Sequence, residues 1–227
     1  RAVLVGDEKE DVGAFHGGGE VMGAFTTQTI EFGEAGGIDQ GCGMEHIREP
    51  ERNIPVVDEV DLVVVGGSST GVFAAVRAAR MGLRVAVVEK HNCFGGVATC
   101  AGVFVWHSLH DTVGETKIIG GLTEEVLDRL AHRDAVLKTP NLVSAYRMNT
   151  EELKIELDQL VTDHGIVPFL HTFYAGAILD GDRLAAIAIQ NKSGRGAIRA
   201  RQFIDATGDG DLARDLGLPR YDPESLQ

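Results

Sequence analysis

The stretch VDLVVVGGSSTGVFAAVRAARMGLRVAVVEK, from Val60 to Lys90, constrains the fold more than any other part of this chain. Val60, Leu62, Val63, Val64 and Val65 form a near-continuous apolar run, the pattern of a parallel strand covered on both faces. A glycine turn follows. Residues 71–81 then carry Val72, Phe73, Ala75, Val76 and Ala79, which suits a helix whose small residues let it lie close to a sheet. Gly82 stands where a helix C′ glycine is expected. Arg84 to Glu89 reads as the next strand. The unit is a βαβ beginning, with a right-handed crossover expected, and the fold class is α/β around a parallel sheet.

The turn Gly66-Gly67-Ser68-Ser69-Thr70-Gly71 resembles a dinucleotide fingerprint with one departure, Ser68 in place of the middle glycine. A pyrophosphate needs backbone N–H donors and a favourable field, and a helix N-terminus supplies both. Gly66 permits the tight turn out of the strand. Gly71 lets the helix approach the sheet. Ser68 adds a Cβ and a hydroxyl that can donate to a phosphate oxygen, while Gly67 keeps the turn supple. Glu89 ends the second strand about 18 residues beyond Gly71, near the expected spacing of roughly 20. A carboxylate there accepts hydrogen bonds from ribose hydroxyls and repels a 2′-phosphate, which disfavours NADP. NAD and FAD are not separated by this unit alone.

Residues 1 to about 58 read differently. They are dense in glycine and show no helical period; Ala24 to Phe32 has strand composition. We expect a glycine-rich extension of short strands, closed by the charged stretch REPERNIPVVDEV as a linker or exposed connection. Residues 59–227 form the second unit. Within it, Asn149 is positioned to cap a helix over residues 150–164, with Glu152 as its capping-box partner. Leu153, Leu157, Leu160 and Val161 make one apolar face of that helix, and Gly165 closes it. A further helix is expected from Gly121 to His132. Beyond Gly165 the runs IVPFLHTFYAGAIL, LAAIAIQ and AIRARQFIDATG, separated by Asp180-Gly181 and Ser193-Gly194, predict a three-stranded antiparallel meander leading into a strand from Gln202 to Ala206. Pro168 predicts that its own strand lies at an edge or starts late.

Net charge is −13, so nothing in the bulk electrostatics would neutralise a nucleic-acid backbone. The three cysteines, Cys42, Cys93 and Cys100, do not describe a disulfide framework. They point to a reducing, cytoplasmic setting. Cys93 and Cys100 are too far apart in sequence for a CxxC redox pair, and buried inert thiols are the default reading. No apolar run is long enough to span a bilayer. The chain begins with Arg1, which leaves a removed signal peptide open.

Three stretches together carry a family resemblance: the glycine turn through Glu89, the following KHNCFGGVATCAG, and NKSGRGAIRARQFIDATGDGDLA near the end. From about residue 47 onward the chain resembles bacterial FAD-dependent oxidoreductases of the glutathione-reductase-like FAD fold, related to fumarate reductase flavoproteins. The resemblance implies a Rossmann-like FAD/NAD(P)-binding fold with a parallel sheet plus an antiparallel three-stranded meander. It also implies FAD as cofactor. Gly66, Gly67, Ser68, Thr70 and Gly71 would contact the pyrophosphate. Glu89, with Lys90 beside it, would hold the adenosine ribose. Gly95, Gly96, Ala98 and Thr99 match a GGxxT loop over the phosphates and ribityl chain. Phe173 and Tyr174 match positions near the adenine. Ala206, Thr207, Gly208 and Asp209 match a strand end beside the cofactor. Such proteins continue into a substrate domain and a late flavin motif. Neither is visible before Gln227, so the expectation is a fragment, or one piece of a protein whose remainder is another chain; the partner would be that remainder or, in a homo-oligomer, a second copy.

Among candidate reacting groups, His107 in VFVWHSLHD is a proton-transfer candidate, because imidazole titrates near working pH; a structural or surface histidine is the competing reading. His107, His110 and Asp111 lack a fourth metal ligand, and no metal is expected. Trp106 reads as core or pocket wall. Asp205, Asp209 and Asp211 could suggest paired-carboxylate chemistry, but read as turn residues and a helix N-cap, with Asp211 opening a helix through Leu212 and Ala213. The implied activity is hydride transfer from a small-molecule substrate to flavin, with an external acceptor reoxidising it. An NAD-dependent Rossmann dehydrogenase and a non-catalytic FAD-fold scaffold are the alternatives.

Overall fold

In a computed structural model, residues 3–6, 46–111, 116–139 and 146–219 are described. The candidate strand from Ala24 to Phe32 lies outside them. A short strand β1 (Val3–Gly6) precedes the long β2 (Val56–Val65), helix α1 (Ser69–Arg80) and strand β3 (Val85–Val88). Then come the two-residue β4 (Val105–Trp106), helix α2 (Leu122–Ala131), β5 (Val136–Lys138), β6 (Tyr146–Met148) and helix α3 (Thr150–Asp163). The chain continues with β7 (Val167–Phe169), β8 (Phe173–Asp180), β9 (Arg183–Asn191), β10 (Gly194–Asp205) and the short helix α4 (Asp211–Asp215).

The main sheet runs β7-β3-β2-β10-β9-β8, with β1 also antiparallel on β10. The pairings β7–β3, β3–β2 and β2–β10 are parallel, and β10–β9 and β9–β8 are antiparallel. The predicted parallel sheet with its antiparallel meander is therefore present. Period-2 alternation sorts the core onto two faces. Leu62, Val64, Val85 and Val87 face a cluster with Val72 and Val76 of α1, Leu127 and Leu130 of α2, and Leu153, Leu157 and Leu160 of α3. Val63, Val65, Ala86 and Val88 face the other side, with Ile187 and Ile189 of β9, Phe203 of β10 and Leu212 of α4. Val63, Val64 and Val87 are wholly shut from solvent. Each side chain so buried contributes on the order of 1.5–3 kcal/mol.

Local sequence explains most boundaries and corrects several expectations. α3 is capped by Asn149, whose side-chain oxygen accepts from the Glu151 and Glu152 amides. The capping box is not closed, because the Asn149 amide donates to the Ala135 carbonyl and Glu152 pairs with Arg133. β2 begins at Val56, inside the stretch read as a connection; its first residues, Val56, Val57, Asp58 and Glu59, are largely exposed. The run IVPFLHTFYAGAIL is two strands and not one. It breaks at Leu170–Thr172, where His171 adopts φ 49°, and its first part joins the parallel sheet as the edge strand β7, where Pro168 needs no ladder donor. The meander turns fall at Gly181-Asp182 and Lys192-Ser193, one residue from the predicted pairs. β10 is continuous from Gly194, so Gln202 to Asp205 is its second half. A separate three-stranded sheet, β4-β6-β5, was not foreseen. Trp106 of β4 meets Phe73 of α1 edge-on, 6.3 Å between ring centres.

Candidate functional site

Three parallel strands, β3, β2 and β10, end side by side at Val88, Val65 and Asp205. From β2 the chain moves one way, through α1 to β3 and on to β7, while β10 lies on the opposite side of β2. The strand order thus reverses between β2 and β10, the place where open α/β sheets form a crevice beyond their carboxyl ends. A cleft of about 570 Å³ sits there. Its lining brings together the strand ends, the glycine turn, the segment after β3, the start of β8 and the turn after β10.

The glycine turn is packed from behind. A Cβ on Gly66 would stand 2.4 Å from the Ala206 carbonyl oxygen, at φ +102°. One on Gly71 would stand 1.9 Å from the Gly66 carbonyl oxygen, so only glycine lets α1 begin this close to the strand. Ser68 is the N-cap of α1, and its hydroxyl oxygen accepts from the Gly71 amide at 3.3 Å. The hydroxyl assigned to phosphate from the sequence therefore has a capping task; its proton is still free to donate. The first turn of α1 carries no acidic residue, whereas α2 opens with Glu124 and Glu125 and α3 with Glu151 and Glu152. The positive end of the α1 dipole is thus not offset by its own side chains. Ser69, in that turn, has a buried hydroxyl without a hydrogen-bond partner among the described residues.

Glu89 is 5% exposed and lines the cleft. One carboxylate oxygen accepts from the Gly67 amide at 2.7 Å and the other from the His91 amide at 2.8 Å. The acid thus braces the turn as well as facing the cleft, and two bonds leave acceptor capacity on a carboxylate. The segment after β3 folds back through Gly95 (φ +110°) and Gly96 (φ +56°) into a 3₁₀ turn (Gly96–Ala98). The Gly95 amide donates to the Gly67 carbonyl at 2.8 Å, tying this loop to the glycine turn.

Opposite, the Asp205–Asp211 turn is held by its own polar groups. The Thr207 hydroxyl donates to Asp205 at 2.7 Å and accepts from the Gly210 and Asp211 amides. Asp205, 2% exposed, also accepts from the Ala213 amide of α4. The sequence expectation of turn residues and a helix N-cap is corrected: Asp205 ends β10, and Asp211 is the first residue of α4, whose N-cap is Gly210. The Thr207 hydroxyl is fully committed inside the turn. Tyr174 donates to Asp215 at 2.9 Å, and burial together with that carboxylate pushes its phenol above the ordinary range.

Of the residues singled out from the sequence, Gly66, Ser68, Glu89, Lys90, Gly96, Phe173, Tyr174, Ala206, Thr207, Gly208 and Asp209 line the cleft. Gly67, Gly71, Gly95, Ala98 and Thr99 stand behind the surface: Gly67 against Phe94 and Glu89, Gly95 against Thr99. Thr70 is exposed at the start of α1. His107 is exposed and is not part of the lining. The lining also contains His91, Val97, Cys100, Thr172 and Asp211; all but Thr172 lie inside the stretches that carry the resemblance, but none was singled out there as a cofactor contact. The two cysteines correct the sequence expectation most clearly. Their sulfurs lie 3.4 Å apart, and Cys100 is exposed. Among the described residues, no three His, Cys, Asp or Glu side chains converge as metal ligands.

Residues 61–222 match the family model described as FAD dependent oxidoreductase. The dihydrolipoyl dehydrogenase of Trypanosoma brucei brucei is 46% identical over 52 residues, 23% of this chain and 10% of that protein. The mitochondrial dihydrolipoyl dehydrogenase of Schizosaccharomyces pombe is 26% identical over 161 residues, 66% of this chain and 28% of that protein. The chain therefore spans less than a third of the length of either. A geranylgeranyl bacteriochlorophyll reductase-like protein from Thermoplasma acidophilum superposes with a TM-score of 0.52 at 20% identity, covering 71% of this chain and 42% of that one, a likeness of fold.

Proposed function

We propose, from the premise that this chain belongs to the FAD dependent oxidoreductase family, that its cleft holds the adenosine diphosphate end of FAD in an enzyme that takes hydride from a small-molecule substrate. The observation that carries the reading is the meeting, at one switch point, of an acid-free helix start and a buried carboxylate. These groups fit the cofactor. The α1 amides suit a diphosphate, and Ser68, which lines the cleft, keeps a proton to donate. Gly66, Gly67 and Gly71 keep that turn low against the strand, and Thr70 opens on its exposed side. Glu89 retains acceptor positions for ribose hydroxyls, with Lys90 beside it. Phe173 and Tyr174 offer ring surface to the adenine. Gly95, Gly96, Ala98 and Thr99 form the loop wall, and Ala206, Thr207, Gly208 and Asp209 the facing one.

When bound, FAD supplies the two-electron acceptor that protein side chains lack. The chain's own part is to bind, orient and exclude. The braced carboxylate fixes the sugar, and the two turns, each held by internal hydrogen bonds, need little reorganisation on binding. A carboxylate at residue 89 repels a 2′-phosphate, so NADP is disfavoured. The antiparallel meander that follows β7 favours FAD over NAD. The substrate, the external electron acceptor and a cytoplasmic setting belong to the same proposal. His107, exposed and off the lining, has no role in it.

The test is titration of the purified chain with FAD, followed by quenching of flavin fluorescence, with NAD and NADP as comparators. FAD binding that weakens at least about tenfold in Ser68→Ala, the loss expected for a charge-assisted hydrogen bond from a residue of the cleft lining, supports the reading. Tighter binding of NAD than of FAD, or an unchanged affinity in Ser68→Ala, refutes it.

A further inference from the structure

Cys93 and Cys100 are separated in sequence by the loop that walls the cleft. The loop doubles back: the Cys100 amide donates to the Gly96 carbonyl at 2.8 Å, and the left-handed Gly95 and Gly96 make the reversal. As a result the two sulfurs lie 3.4 Å apart. A disulfide bond is about 2.05 Å long, so closure asks the sulfurs to approach by only roughly 1.4 Å. Their settings differ. Cys93 is 7% exposed. Cys100 is exposed and belongs to the cleft lining. The ammonium of Lys154, on α3, favours the Cys93 thiolate and is itself favoured by both sulfurs; its firmest partner is Glu151 at 2.7 Å. The Thr99 hydroxyl stands 3.8 Å from the Cys100 sulfur.

We propose that Cys93 and Cys100 are a thiol–disulfide exchange pair, with Cys100 attacking a low-molecular-weight disulfide that enters the cleft and Cys93 resolving the adduct. In the first step the Cys100 thiolate bonds to one sulfur of the disulfide and expels the other as a thiolate. In the second, the Cys93 thiolate bonds to the Cys100 sulfur and expels the remaining thiolate. The two protons lost by the cysteines end on the two released thiols. The protein pair is oxidised by two electrons, and the small disulfide is reduced by the same two.

The order follows from access: only Cys100 can be reached from the cleft. Burial, together with the Cys100 contact, pushes the Cys93 thiol up to about 11, which disfavours it as the first attacker. The product ties the two ends of a loop whose Gly96 and Val97 line the cleft, so the oxidation state is written on the cleft wall. The sulfur geometry does not depend on the cofactor reading, but the disulfide enters the same cleft that is proposed above for FAD, so the thiol chemistry is tested on the chain without added FAD.

The experiment uses the chain carrying Cys42→Ser, which leaves these two thiols. Treatment with oxidised glutathione should remove both titratable thiols, leave no glutathione attached, lower the mass by two hydrogens and yield a linked Cys93–Cys100 peptide, all reversed by dithiothreitol. Adding Cys93→Ser should trap one glutathionyl group on Cys100. Adding Cys100→Ser should slow reaction at least about tenfold. Should either serine variant fail to fold, the linked peptide from the Cys42→Ser chain decides. Stable glutathionylation of Cys100 without the linked peptide in that chain, or two thiols that survive treatment, overturns the proposal.

Discussion

Replacing Glu89 by glutamine tests whether the acid is a brace of the turn in its own right. In the native chain its two oxygens accept from the Gly67 and His91 amides at 2.7 and 2.8 Å, at a site 5% exposed. Glutamine keeps one acceptor and turns an NH₂ group towards the other amide. One charge-assisted bond, about 1.5–3 kcal/mol net, is lost, and the survivor falls to the neutral range of about 0.5–1.5 kcal/mol. The sum is a destabilisation of about 2–4 kcal/mol. With an m-value of about 2 kcal/mol/M in urea, the unfolding midpoint should fall by roughly 1–2 M. The single tryptophan, Trp106, packs on Phe73 of α1 and gives a fluorescence readout of that helix. The measurement is made without FAD, so loss of a ligand contact cannot imitate the result. Glu51→Gln, at an exposed position, should stay within about 0.5 kcal/mol. A midpoint shift for Glu89→Gln below roughly 0.3 M would refute the bracing argument.

Other substitutions separate close packing from backbone strain. Gly71→Ala places its Cβ 1.9 Å from the Gly66 carbonyl oxygen and should cost about 3 kcal/mol or more in urea unfolding. Gly82→Ala meets no atom within 4 Å but sits at φ +89°, so about 1–2 kcal/mol is expected. Thr207→Val strands the Gly210 and Asp211 amides and removes a donor from Asp205; calorimetry should show a loss of about 2–4 kcal/mol, largely recovered in Thr207→Ser. The hydrogen bonds and charge of Arg80 hold the Glu125 carboxyl below its usual range. A folded-state pKa below the unfolded one stabilises above the unfolded carboxylate range, and that contribution fades as pH falls through the lowered value. Glu125→Gln should therefore flatten the acid limb of stability against pH, while costing less than about 1 kcal/mol at neutral pH because both partners are about a third exposed.

What could be read from the sequence follows the range of the interactions involved. The strand–turn–helix unit, the Asn149 cap and the edge placement of Pro168 depend on residues a few positions apart, and local rules recover them. The β4-β6-β5 sheet has strands of two or three residues, too short for any period to register. The break at Leu170 hides inside an apolar run, because a strand that leaves one pairing for another needs no change in composition. The site shows the same division. Glycines and the acid at residue 89 are legible by type. The commitment of the Thr207 hydroxyl, the second task of Glu89 and the meeting of Cys93 with Cys100 arise from a folded turn or a doubled-back loop. No linear spacing encodes those.

The ends of the main sheet bear on how this molecule meets others. β7 is three residues long with a proline at its centre. Among the described residues β8 is the opposite border, and its ladder to β9 slips twice, between Tyr174 and Gly176 and between Ile178 and Leu179. One border is too brief and lacks a donor; the other is bent out of true. Neither, among the described residues, offers a straight template for a neighbouring chain to extend, so strand addition is disfavoured at both margins.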